Sequence, residues 1–192
     1  MISQNQEGVR VVVLGPPVPV VPFRHLSDAA PVVHSYRSSE RSFSWSTADG
    51  KTTQIQLRLI EARVHYRSID AESAGRESET VQEEWLFLKE ARGAIYALWP
   101  SQPWVDRIRE ILEMLARDLH DAGIREERFP IVFDILRGER PGDEVPDDEL
   151  RKVAKWPLCD FVTSRIGPLI PFDDRGHEQA LERLLALMNT VK

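Results

Sequence analysis

Six residues near the start constrain this chain more than any others. Val9-Arg10-Val11-Val12-Val13-Leu14 is apolar at every position but one. A strand with one wet face alternates apolar and polar residues, whereas a strand covered on both faces does not. The run therefore predicts a strand buried on both sides, as in a parallel sheet held between helical layers. Gly15 follows, then Pro16-Pro17, so the strand must break into a turn there.

The rest of the chain supplies the other layers. Residues 41–47 alternate, with Phe43 and Trp45 on one face and Ser42, Ser44 and Ser46 on the other. Residues 53–61 alternate too, with Ile55, Leu57 and Leu59 on one face. Asp49-Gly50 lies between them, a strong hairpin signal, so these two strands should pair antiparallel. Thr80-Val81-Gln82-Glu83 has the form of a capping box, opening a helix that Gly93 should end. From there strands and helices alternate. Strands are expected at 94–99, 130–136 and 159–163, and helices at 101–122, after Pro146, and at 174–190. The predicted fold is α/β: a six-stranded, mostly parallel sheet with one antiparallel hairpin of its second and third strands, and helices on both faces. Residues 1–8 read as a tail and 9–192 as a single domain, an ordinary size for 192 residues.

Strand, glycine, turn is also how a phosphate-binding loop begins. Against G-x-x-x-x-G-K-[ST], Gly15 takes the first glycine position. Val20 then stands for the second glycine, Val21 for the lysine and Pro22 for the hydroxyl residue. The lysine neutralises phosphate and the hydroxyl holds magnesium. Pro16, Pro17, Pro19 and Pro22 further remove amide donors from any cradle. A phosphate site on such a sheet would lie beyond the carboxyl end of the first strand. The alternative is that any strand running into a Gly-Pro turn looks like this.

The order of elements resembles the small Ras-like GTPases of the P-loop fold: P-loop strand, hairpin, switch loop, then three strand–helix units. The likeness is nearest to the bacterial branch concerned with gliding motility and cell polarity. Gly15-Pro16-Pro17 after a valine-rich strand and Gly93-Ala94-Ile95-Tyr96-Ala97-Leu98 are similar to that branch's first motif and fourth strand. Val132-Phe133-Asp134-Ile135-Leu136-Arg137-Gly138-Glu139-Arg140-Pro141 lines up with the strand and guanine motif Asn-Lys-x-Asp. Leu136 then stands for Asn, Arg137 for Lys and Glu139 for Asp. Thr163-Ser164-Arg165 is nearest to the last motif, Ser-Ala-Lys. Glu61-Ala62-Arg63-Val64, where Asp-x-x-Gly would fall, has no glycine. The resemblance therefore implies a pseudo-GTPase, catalytically inactive and without cofactor, working as a protein-binding or scaffolding module in a bacterial polarity, motility or signalling complex. It implies a roadblock- or longin-type regulator as partner. The competing reading is an atypical GTPase that binds or slowly hydrolyses GTP through backbone contacts and Glu139; a third is an α/β domain of unrelated function.

Composition narrows the remaining classes. A net charge of −6 without a basic cluster argues against nucleic acid as a partner. No segment is apolar for long enough to span a membrane, and the polar N-terminus does not read as a signal peptide, so a cytoplasmic location is expected. The single cysteine, Cys159, excludes an internal disulfide, and the five histidines have no metal-ligand spacing. Acidic pairs such as Asp147-Asp148 sit in first turns of helices, where capping explains them. Residues 65–79 are too polar to pack alone. Tyr66 and Ile69 are the segment's sizeable apolar groups and the natural anchors for a protein partner. Phe43 and Trp45 are core or partner-facing, with core slightly favoured by the all-serine opposite face.

Overall fold

The computed structural model describes residues 8–15, 32–35, 38–46, 50–61, 87–98, 100, 102–138, 145–166 and 174–191. The fold is mixed α/β. Its strands are β1 (Val9–Gly15), β2 (Val32–Ser35), β3 (Ser38–Ser46), β4 (Thr52–Glu61), β5 (Ala94–Leu98), β6 (Ile131–Gly138) and β7 (Cys159–Ile166). Its helices are α1 (Gln102–Asp121), α2 (Asp147–Val153) and α3 (Asp174–Thr190). All lie on one sheet in the order β2-β3-β4-β1-β5-β6-β7. The six expected strands are all present, and the short β2 extends the hairpin side beyond them by pairing antiparallel with β3. β1, β4, β5, β6 and β7 run parallel.

β1 sits at the centre because its side chains can be buried both ways. Val12 and Leu14 join the core under α1 and α2. Val11 and Val13 join the core of the opposite face, where α3 packs. Helices thus lie on both faces, as expected. α1 contributes Val105, Ile108, Leu112, Leu115 and Leu119 at helical spacing, and α3 contributes Ala180, Leu181, Leu184 and Met188.

Three glycines position these elements. Gly50 has φ 79° in the hairpin turn, the left-handed backbone that the Asp-Gly signal anticipates. Gly123, φ 75°, closes α1: its N–H donates to His120 O and that of Ile124 to Leu119 O, the paired bonds of a Schellman end. Gly93 has a different purpose from the helix stop expected of it. The helical turn ends at residue 90, and Gly93 is not left-handed. A Cβ there would meet Pro130 O at 2.8 Å, Leu184 Cδ1 at 3.0 Å and Met188 Cε at 3.0 Å, so Gly93 lets α3 close on the sheet.

The turn at 87–90 docks through cation–π contacts. Phe87 is buried, with the Arg58 guanidinium 4.7 Å and the Arg10 guanidinium 5.8 Å from its ring centre. Arg58 donates to Glu40 Oε2 at 2.9 Å and Arg10 pairs with Glu90. The polar positions of β1 and β4 are therefore a seat for the segment that enters β5.

Candidate functional site

The chain leaves β1 on one side of the sheet and returns to β5 on the other, so the strand order reverses at the carboxyl end of β1. Ligands of open α/β sheets bind at such a switch point. Gly15, the last residue of β1, pairs with Glu61 at that edge. Val20, Val21, Pro22, Glu139, Tyr66 and Ile69 lie outside the described residues. The rest of the edge is built by β5, β6 and β7.

Here the strands differ from expectation. β6 was expected to end at 136 and β7 at 163. Both run further, pairing through Leu136↔Ser164, Arg137↔Arg165 and Gly138↔Ile166, while β5 stops at Leu98↔Ile135. Arg137 and Gly138, aligned with the guanine motif, and Ser164 and Arg165, aligned with the last motif, are therefore ladder residues of a two-stranded ribbon. The cause is mutual: each strand satisfies the other's backbone donors and acceptors past the end of β5.

Three of the ribbon's side chains, Leu136, Arg137 and Ser164, are turned inward or tied down. Leu136 is 1 % exposed. Arg137 donates from Nη2 to Val145 O at 2.9 Å and pairs with Asp147 at the start of α2. That helix begins at Pro146, which makes no side-chain cap, so Arg137 serves as its tether. Ser164 is buried, and its Oγ donates to Asp134 Oδ1 at 2.5 Å. Thr163 is exposed. The structure thus brings Leu136 and Ser164 side by side, but places neither to offer a polar group to a ligand.

Asp134 itself escaped the sequence reading. It is fully buried at the middle of β6. The signal was available: one carboxylate in the apolar run Ile131-Val132-Phe133-Asp134-Ile135-Leu136 needs a donor, and a serine on the next strand, two residues beyond Asp134's register partner Val162, supplies one. Tyr96 on β5 is its counterpart on the other face, 2 % exposed, its ring 5.9 Å from that of Phe133. Its hydroxyl meets no hydrogen-bond partner among the described residues, and burial holds the phenol well above its ordinary pKa.

No known protein-family model matches the sequence, and no curated protein matches it.

Phe43 and Trp45 are 6 % and 7 % exposed, packed with Ile55 and Leu57 in the core. This follows the core reading, and corrects their place among the partner-facing candidates. Cys159 is half-buried; desolvation first, then Asp160, raises its thiol pKa against the Trp156 backbone hydrogen bond and Arg151, so the thiol is held protonated. Among the described residues no three His, Cys, Asp or Glu side chains converge as a metal site, and no helix is long and apolar enough to cross a membrane.

A concavity lies away from this edge. A groove of about 620 Å³ runs between α1 and the end of α2, toward the amino ends of the strands. Arg109, Arg117, Lys152 and Lys155 rim it, and the Trp156 indole, which donates to Phe129 O at 2.6 Å, lies in its floor. No sequence motif announced it, because residues 40 positions apart meet only in the folded chain.

Proposed function

We propose that the chain is a catalytically inactive, small-GTPase-like protein of the Ras-like P-loop type that works by binding other proteins. The observation that carries this reading is the state of the carboxyl edge. At the guanine-motif positions, Leu136 is buried and Arg137 is held to Val145 and Asp147. At the last motif, Ser164 is spent on Asp134. The side chains of Leu136, Arg137 and Ser164 are thus used within the fold. The sequence adds the loss of lysine at 21 and of a hydroxyl at 22. Each charge-assisted bond to phosphate contributes roughly 1.5–3 kcal/mol, so several losses together remove tight binding. The order of elements, from a central β1 through the hairpin to three strand–helix units, supports the Ras-like likeness.

Without a γ-phosphate to order its switch loops, such a protein holds one state or is ordered by a partner. A roadblock- or longin-type regulator within a bacterial polarity or motility complex is the partner class the likeness implies, and the cytoplasm the compartment. The test is titration with fluorescent GTP and GDP in magnesium. We expect no binding tighter than about millimolar. Micromolar affinity for either nucleotide would replace this reading with that of an atypical GTPase.

A further inference from the structure

The groove between α1 and α2 has a charge that the rest of the molecule lacks. The chain carries a net charge of −6, yet cations outnumber carboxylates four to two around the groove. Lys152 has Asp148 at 3.5 Å on its own helix. No ion pair joins Arg109, Arg117 or Lys155 to a carboxylate among the described residues. The floor between these cations is apolar: Leu112 and Trp156 are buried there, with Ala116 and Val153 half-buried beside them.

The cations are also spaced. Arg109, Glu113 and Arg117 stand at four-residue intervals on α1, one turn apart, about 6 Å along the axis. The stripe reads basic, acidic, basic. Its complement is a helix bearing acidic, basic, acidic side chains at the same interval, with leucine-like residues between them to meet Leu112 and Trp156. A continuous phosphate backbone fits poorly, because Glu113 and Glu126 would each face it. We infer that this groove docks an acidic amphipathic helical segment of a protein partner. The inference rests on the protein-binding reading and adds to it where the partner sits: at the amino end of the strands, remote from the degenerate nucleotide edge.

The test uses the full chain and two synthetic peptides. One carries Glu-x-x-x-Lys-x-x-x-Glu with leucine and alanine between; the other has Glu and Lys exchanged. Fluorescence anisotropy should show the first peptide binding, with affinity that falls as salt rises, and the second binding at least about tenfold more weakly. Arg109→Glu with Arg117→Glu, both exposed, should weaken the first peptide about tenfold. Lys51→Glu with Arg92→Glu makes the same change in net charge elsewhere on the surface and should leave it nearly unaltered. Equal loss in both variants, no binding of either peptide up to about 1 mM, or tighter binding of a single-stranded oligonucleotide than of the acidic peptide would overturn the proposal. Nucleotide titration is independent of all these arms. Tight GTP binding with the groove intact would sink the inactive-GTPase reading alone.

Discussion

At the scale of single residues, the strongest constraint is that buried polar atoms answer to their neighbours. One carboxylate oxygen of Asp134 accepts from Ser164, while the Tyr96 hydroxyl is buried without a partner among the described residues. An unmet hydroxyl costs about 1–3 kcal/mol, so Tyr96→Phe should leave stability at neutral pH equal or raised. The pH dependence has a definite sign. Burial lifts the Tyr96 pKa above its ordinary 10.0, so the folded chain keeps the phenol proton after the unfolded chain has lost it. The contribution of this group is whole below pH 10.0 and declines as pH rises beyond it. Urea unfolding across that range should show a steeper alkaline loss in the parent than in Tyr96→Phe. Parallel curves would mean that the phenol is not the group responsible. Leu136 gives a second prediction. Placing asparagine there should not create a guanine site. At 1 % exposure the amide would replace a packed isobutyl group, destabilising the fold by about 2–4 kcal/mol. Denaturant midpoints for Leu136→Asn, with a GTP titration of the same variant, check both halves of that statement.

At the scale of elements, the β6–β7 ribbon and α2 act as one unit. Arg137 joins them, reaching from the ladder to Val145 O and Asp147. The ion pair is partly exposed on its Asp147 side, so its worth is discounted for solvent. Arg137→Ala should therefore cost only about 1 kcal/mol overall. Its distinctive sign is local: amide exchange should quicken in α2 while the centre of β6 keeps its protection. Uniform quickening would show that the arginine supports the whole fold rather than this junction. Gly93 works at the same scale, since its missing side chain sets the distance between α3 and the sheet.

At the scale of the whole molecule, the fold should be indifferent to nucleotide. A ligand bound with micromolar Kd and supplied at about 1 mM would stabilise the protein by about 4 kcal/mol. For a domain of this size that is a rise in Tm on the order of 10 °C. We expect less than about 1 °C with GTP and magnesium. The molecule then has two distinct ends: a carboxyl edge where Leu136, Arg137 and Ser164 are engaged within the fold, and a basic groove at the other. A shift in Tm approaching that of a bound ligand would reverse this division.

What the sequence determined was set by local rules. The apolar run at 9–14 required burial on both faces, and β1 lies at the middle of the sheet. Helical spacing of Leu112, Leu115 and Leu119, with glycine at 123, placed α1 and its end. Alternation around Asp49-Gly50 placed the hairpin. These signals are short-range, because period and turn chemistry act within a few residues. Tertiary structure decided the rest. The lengths of β6 and β7 came from each strand finding the other, which moved 137–138 and 164–166 from loop to ladder. The inward turn of Ser164, the engagement of Arg137 and the close approach at Gly93 depend on partners 8 or more residues away. The basic groove unites residues of α1 with residues past α2. A periodic pattern says which face of an element is buried; only packing says what the other face will meet.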